Sequence, residues 1–160
     1  MRIVIHAVGR MKAGPETELC DRYIDRFRRS GAALGLSFER IIEPVESRVP
    51  DVAGRKREEA EKLLPLLEGG AKLILLDEQG KDIGSEQFAE RLSRYRDDGS
   101  GTLIFAIGGP DGHDSSLRQR ADLVLSFGRA TFPHQIVRIL LAEQLYRAVT
   151  ILSGHPYHRA

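Results

Sequence analysis

The chain has 160 residues, with 24 Lys and Arg against 23 Asp and Glu, and its formal net charge is +1. This length is typical of one domain that buries about two-thirds of its unfolded surface, so we expect a single domain over residues 1–160. The one cysteine, Cys20, excludes internal disulfides, and no run of about 18 apolar residues is present to span a membrane. We therefore expect a cytoplasmic protein in which Cys20 has a structural role.

Five apolar, β-branched runs predict strands. They lie at Arg2–Val8, Ser37–Glu43, Lys72–Asp77, Thr102–Ile107 and Asp122–Phe127. Apolar residues at helical spacing predict helices over Pro15–Ser30, over Asp51–Glu68 with an end near Leu64, over Ser85–Asp97, after Ser115, and from His134 to Ser153. Strands that alternate with helices indicate the α/β class, with a mostly parallel sheet covered by helices on both faces.

Three loops that follow strands are the first candidates for a binding site, because ligands of open α/β sheets bind beyond the carboxyl ends of the strands. These loops are Asp77–Lys81, Gly108–Gly112 and Phe127–His134. Gly80-Lys81 lacks the spacing of a phosphate-binding P-loop, and the Gly108–Gly112 run lacks the spacing of a dinucleotide motif. The latter run is either a tight turn or a place where a ligand lies against bare backbone.

Positive charge is concentrated in the first part of the chain. Residues 1–57 contain 12 Lys and Arg against 8 Asp and Glu, whereas residues 58–160 contain 12 against 15. An anionic partner would therefore meet the N-terminal half, although a solvated charged surface explains the same composition. The five histidines show no metal-ligand spacing, so we expect no metal site.

The last predicted helix is apolar on more than one side. One arc includes Leu141 and Leu145, and further apolar residues such as Leu140 and Ile151 lie outside it. This pattern predicts a homodimer interface on one side, or else a helix that is buried all round. Arg138 lies within the apolar arc, where it needs a carboxylate, backbone carbonyls or an anionic ligand as a partner.

Five segments of the chain form a recognisable combination. They are Leu76-Asp77 with Gly80-Lys81, Ile107–Gly112, Thr131–His134 leading to Val137-Arg138, Glu143–Ala148, and the closing His155-Pro156-Tyr157-His158-Arg159. Together they resemble the RlmH family of SPOUT-class methyltransferases. The resemblance covers essentially the whole chain. It implies a SPOUT fold with a C-terminal trefoil knot, a homodimer, and S-adenosylmethionine as methyl donor for N3 of a pseudouridine in large-subunit (23S) ribosomal RNA of the assembled ribosome.

The resemblance also implies a set of site residues. It assigns the cofactor to Leu76, Gly108, Phe127, Gly128, Arg129, Ala130, Thr131 and Phe132. From the composition of the tail and this likeness, our hypothesis for catalysis is His158, Tyr157 and Arg159, with Arg138 or Arg147 as electrostatic support. A neutral histidine can accept the imide proton, and an arginine can stabilise the carbonyl oxygens of the base.

Two alternatives stay open at the level of sequence. One is a SPOUT-class methyltransferase that acts on transfer RNA. The other is a non-catalytic α/β module that binds a nucleotide or the ribosome. Binding of S-adenosylmethionine would separate an enzyme from a module, and methyl transfer to ribosomes or to transfer RNA would separate the two enzymes.

Overall fold

The computed structural model describes residues 1–158 and contains five strands and five α-helices in alternation. The strands are β1 (Arg2–Ala7), β2 (Ser37–Ile42), β3 (Lys72–Asp82), β4 (Thr102–Ile107) and β5 (Leu123–Ser126). The helices are α1 (Pro15–Gly31), α2 (Val52–Leu63), α3 (Ser85–Asp97), α4 (Ser115–Arg120) and α5 (His134–Leu152). The predicted α/β class is confirmed, and the predicted ends of most elements differ from these by one or two residues.

All the strand pairs are parallel, and the sheet order is β2-β1-β4-β3-β5. Helices α1, α3 and α5 cover one face, where Phe27, Phe88 and Leu141 pack against Ile5 and Phe105 of the sheet. Helices α2 and α4 cover the other face. Because every strand runs the same way, the loops after β3, β4 and β5 meet at one edge of the sheet.

Strand β3 is longer than predicted and is interrupted. Leu76 and Lys81 both pair with Leu125 of β5, so the four residues between them loop out of the sheet. The chain returns at Gly80, where an added Cβ would lie 2.6 Å from the carbonyl carbon of Leu125. Only glycine fits such close contact with the neighbouring backbone without a shift. Because the residues after Leu76 are polar, a prediction based on apolar runs does not include this return.

The α2 segment ends as predicted near Leu64. A short 3₁₀ turn over Leu64–Leu67 follows it, with Pro65 as its second residue. At the start of α2, the Asp51 side chain accepts a hydrogen bond from the Gly54 amide at 2.7 Å and so caps the helix. This cap fixes the position of α2 beside the loop after β4.

Candidate active site

A cavity of about 770 Å³ opens at the carboxyl edge of β3, β4 and β5. Its volume lies within the range of about 300–1,000 Å³ that is usual for small-molecule sites. The three loops selected from the sequence form most of its wall, through residues 76–79, 107–115, 127–128, 130–132 and 134. Leu125 and Val137 add apolar surface, and Arg118 of α4 and Lys56 of α2 add positive charge.

Most of the residues that the resemblance assigned to the cofactor lie around this cavity. Leu76, Gly108, Phe127, Gly128, Ala130, Thr131 and Phe132 line it, whereas Arg129 is exposed and is not part of the wall. The cofactor role of these residues stays a prediction. These residues come from three separate parts of the chain, and they meet because β4, β3 and β5 are neighbours in the sheet.

The Gly108–Gly112 loop is a tight turn, and its glycines lie in close contact with other atoms of the protein. The Gly112 amide donates to the Gly109 carbonyl at 2.9 Å, and Gly112 has a φ of 78°. A Cβ on Gly108 would lie 3.0 Å from the carbonyl carbon of Gly112, and one on Gly109 would lie 2.8 Å from a carboxylate oxygen of Glu59. A larger side chain at position 108 would therefore press on the backbone of Gly112 as well as enter the cavity.

Ion pairs fix the carboxylates in and beside the cavity. Asp77, whose side chain is 9% exposed, is paired with Arg118. Asp111 accepts hydrogen bonds from Arg55 at 2.6 and 3.3 Å, and the Arg55 guanidinium lowers the pKa of Asp111. The loop after β3 is thus tied to α4, and the turn after β4 is tied to α2. These contacts connect the segments that form the cavity wall.

Two buried histidines lie behind the turn, and the sequence did not single them out. Nε2 of His113 lies 3.1 Å from the carbonyl oxygen of Leu76, so His113 joins the turn to the end of β3. Burial lowers the pKa of His113. His6 of β1 is close enough for its charge to interact with that of His113, and a void of about 10 Å³ lies beside both rings. Such a void is about large enough for one water molecule.

A second polar cluster forms where the C-terminal tail folds back on α5. One carboxylate oxygen of Glu143 accepts hydrogen bonds from Nε of Arg147 at 2.9 Å and from the hydroxyl of Tyr157 at 3.0 Å. Arg147 also lies over the Tyr157 ring, 4.9 Å from its centroid, and its Nη1 is 3.5 Å from Nδ1 of His158. Nε2 of His158 is 3.6 Å from Glu86. Glu143 thus organises the tail, and its spacing of four residues from Arg147 is the only sequence signal for this role.

The tail tyrosine is held in its protonated form. Burial is the main cause that raises the pKa of Tyr157, and its hydrogen bonds with Tyr23 and Glu143 raise it further. At neutral pH the phenol therefore donates a hydrogen bond and does not act as a base. Of the proposed tail residues, His158 is the better proton acceptor, and Arg159 lies outside the described residues.

Arg138 is occupied by protein groups. Its side chain is 3% exposed, forms an ion pair with Glu43, and donates to the carbonyl of Gly9 at 2.9 Å. Of the partners that we expected for Arg138, the structure shows a carboxylate and one backbone carbonyl. Arg138 does not line the cavity and joins α5 to the segments that follow β1 and β2, and its role as electrostatic support in catalysis stays a prediction.

Cys20 lies beside this junction on α1 and is buried, with Sγ 4.0 Å from the carbonyl oxygen of Arg138. Burial raises the pKa of the Cys20 thiol to about 11, so it stays protonated at neutral pH. A protonated, enclosed thiol is not a nucleophile. The position of Cys20 is in keeping with the structural role that we expected.

Within one protomer, the cavity and the tail cluster lie at different places on α5. His134 lines the cavity at the start of the helix, whereas Arg147 comes thirteen residues later. At 1.5 Å per residue, this separates them by about 20 Å along the helix axis. None of Glu143, Arg147, Tyr157 and His158 lines the cavity.

Two kinds of feature are absent from the described part of the chain. No group of three or more His, Cys, Asp or Glu residues in positions 1–158 is arranged to hold a metal ion. No helix within the same residues is long and apolar enough to cross a membrane.

Comparison with known proteins identifies the class. The family model described as "Predicted SPOUT methyltransferase" matches residues 1–158. The chain therefore belongs to the SPOUT methyltransferase family, as its motifs indicated.

Relatives that align over nearly their whole length identify a narrower family within this class. Proteins named "Ribosomal RNA large subunit methyltransferase H" from Brucella anthropi and Rhizobium meliloti are 62% and 58% identical over 160 residues, which is 100% of each chain in both cases. A protein of the same name from a Chelativorans species is 58% identical over 99% of this chain and 91% of its own. Within the SPOUT class, the chain belongs to the RlmH family.

Solved structures show weaker similarity to this chain. A TrmH/SpoU tRNA modifying enzyme of A. aeolicus aligns with 96% of this chain and 77% of its own at 11% identity, with a TM-score of 0.47. The SpoU methyltransferase AviRb of Streptomyces viridochromogenes, in complex with AdoMet, aligns with 96% of this chain at 15% identity and a TM-score of 0.39. The present chain spans 61% of the AviRb chain.

Proposed function

We propose that the protein transfers the methyl group of S-adenosylmethionine to N3 of a pseudouridine in large-subunit ribosomal RNA, on the assembled ribosome in the cytoplasm. The observation that carries the proposal is the cavity built by the ends of β3, β4 and β5, in a chain whose full-length relatives are named as ribosomal RNA methyltransferases. We take residues 1–160 as a single SPOUT domain.

The chemistry of the cavity wall fits this methyl donor. The apolar side chains of Leu76, Ile107 and Val137 suit an adenine ring, and the bare backbone of the glycine turn offers hydrogen-bonding groups. Glu78, which accepts a hydrogen bond from Thr131 at 3.0 Å, supplies negative charge near the mouth. When bound, the donor supplies an electrophilic methyl group on a sulfonium cation, and its transfer needs positioning more than a metal.

The tail supplies groups that suit the nucleophile. The imide nitrogen of pseudouridine loses a proton as it attacks, and its negative charge spreads to the carbonyl oxygens. We assign His158 to accept that proton directly or through water and Arg147 to stabilise the charge, and the distance of 3.5 Å between the two side chains supports this pairing. Glu143 holds Arg147 and Tyr157 in one arrangement, so that the tail meets the base as a preformed surface.

Because none of Glu143, Arg147, Tyr157 and His158 lines the cavity of its own protomer, we infer that the active protein is a homodimer in which one protomer's tail completes the other's cavity. The exposed apolar residues next to the cavity support this arrangement. Phe132 and Ile136 are 36% and 37% exposed, and Leu140 follows one turn later on the same side of α5. We also propose the C-terminal trefoil knot that the resemblance implies, for which the close packing of Gly80 on Leu125 is support.

The test is methyl transfer from labelled S-adenosylmethionine to purified assembled ribosomes, with mass spectrometry of the RNA. We expect one added methyl group on a pseudouridine. Transfer RNA incubated in parallel should gain none. Label on transfer RNA alone would favour the other SPOUT activity, and failure to bind the donor would favour a non-catalytic module.

A further inference from the structure

Three arginines form a row along the exposed side of α1. Arg22, Arg26 and Arg29 are spaced by four and three residues, so they lie on one face of the helix. All three are exposed. The row is about 10 Å long at 1.5 Å per residue. We refer to these residues as the arginine row.

The row is not neutralised by the protein. Among the described side chains, none of its three guanidinium groups lies within 4.0 Å of a carboxylate oxygen, and Asp25 of the same helix is engaged by Arg28 at 3.0 Å. The row belongs to residues 1–57, which carry the excess of positive charge. It is therefore available to a negatively charged partner.

Aromatic rings connect the row to the tail. The guanidinium carbon of Arg26 is 5.7 Å from the ring centroids of both Tyr23 and Tyr146. The Tyr146 ring is 4.7 Å from that of Tyr157, over which Arg147 lies at 4.9 Å. Arginines and half-exposed tyrosines thus alternate along a continuous strip from α1 to Tyr157.

We propose that this strip is the surface on which the RNA substrate lies, with its phosphates on the arginine row and its bases against the tyrosines. The proposal rests on the proposed function, since it takes RNA as the substrate. Each of the three guanidinium groups can neutralise one phosphate of a strand that follows the row. Bases of unpaired RNA stack on tyrosine and arginine side chains. An acidic protein would use the arginines but would not need the rings.

The experiment compares two variants with the same change in net charge. The first has Arg22→Gln, Arg26→Gln and Arg29→Gln. The control has Arg28→Gln, Arg40→Gln and Arg94→Gln, which remove three exposed arginines that form ion pairs with Asp25, Glu39 and Glu90. For each, we would measure binding to large ribosomal subunits and to protein-free large-subunit RNA over a range of salt concentrations, and methyl transfer to the subunits.

For the row variant we expect at least about tenfold weaker RNA binding near 0.1 M salt. The slope of log K against log salt concentration should become shallower by about 2, because each of the three lost phosphate contacts contributes about 0.7 to that slope. KM for the ribosomal substrate should rise while kcat and affinity for S-adenosylmethionine stay unchanged. The control should behave like the wild type.

Three results would overturn the proposal. Equal losses of RNA binding in the two variants would show that only the change in net charge matters. Weaker binding to subunits but unchanged binding to free RNA would make the row a contact for a ribosomal protein. Dissociation of the row variant into monomers would make it a subunit interface. If the wild type binds the RNA but transfers no methyl group, the proposed function fails, while the binding comparison still decides the role of the row.

Discussion

At the scale of single residues, His6 is a buried polar group that the fold barely satisfies. It is 2% exposed, and among the described residues its Nε2 has no hydrogen-bond partner. Burial, and then the charge of His113, lower the pKa of His6 from 6.5 to about 4. The unfolded chain therefore binds a proton near pH 6.5 that the folded chain takes up only near pH 4.

This difference predicts a specific pH dependence of stability. As pH falls from 6.5 towards 4, His6 should reduce the free energy of unfolding by up to about 3 kcal/mol, and it should contribute no further change below that window. His6→Leu should abolish this part of the loss and be at least as stable as the wild type at pH 7. Denaturant unfolding at several pH values measures it, and an unchanged pH dependence in the variant would contradict the assignment.

Gly80 is required by contact with backbone rather than by its own dihedral angles. Gly80→Ala should cost about 1–3 kcal/mol, since its Cβ would meet the backbone of Leu125 in a packed sheet. Gly101→Ala is the matched control, because a Cβ there has no atom within 4 Å. Thermal unfolding of both variants tests the difference, and equal melting temperatures would argue against a tight return of β3.

At the scale of elements, α5 carries the cavity at its start and the tail cluster in its second half. Deletion of residues 157–160 should leave affinity for S-adenosylmethionine nearly unchanged, because none of them lines the cavity among the residues described. Methyl transfer should fall by about 10²–10⁴-fold through loss of the proton acceptor. Calorimetry for the cofactor and single-turnover assays on ribosomal subunits separate the two effects.

Single substitutions in the tail show which residue accounts for the loss of methyl transfer. His158→Ala should reproduce most of it, whereas Tyr157→Phe should lose only the hydrogen bond to Glu143 and retain the ring. A truncated protein that keeps full activity would eliminate the catalytic tail. A truncation that lowers cofactor affinity and melting temperature together would instead assign the tail a purely structural role.

At the scale of the whole molecule, the open apolar side of α5 predicts self-association. A standard interface buries about 1,600 Å² in total, and a charge in its centre is strongly unfavourable. Leu140→Asp should therefore produce monomers that transfer no methyl group, because each cavity then lacks the partner's tail. Analytical ultracentrifugation measures the change, and a wild type that sediments as a monomer at micromolar concentration would refute the dimer.

Shared active sites predict rescue between two inactive variants. A protein truncated after Pro156 retains its cavity, and Ala130→Trp fills the cavity but retains the tail. Neither should be active alone. After subunit exchange, the mixture should regain activity, because the mixed dimer combines an intact cavity with an intact tail. No recovery, with mixed dimers demonstrated, would place both halves of the site in one protomer.

The sequence by itself determined the elements and the three loops of the cavity. Runs such as Lys72–Asp77 and Thr102–Ile107 are buried on both faces of the sheet, and such strands are continuous in apolar residues. The family also followed from the sequence, since motifs such as Ile107–Gly112 and the closing tail keep their order and spacing. These features are local, and each is visible within a few neighbouring residues.

Only the tertiary structure decided the contacts between distant segments. The return of β3 at Gly80 depends on the backbone of β5, and the partners of Arg138 come from the ends of β1 and β2. His6 and His113, 107 positions apart, become neighbours because β1 and β4 are adjacent in the sheet. The separation of the tail from the cavity has the same origin. Strand order and helix packing set these distances, and neither is encoded in the periodicity of any one segment.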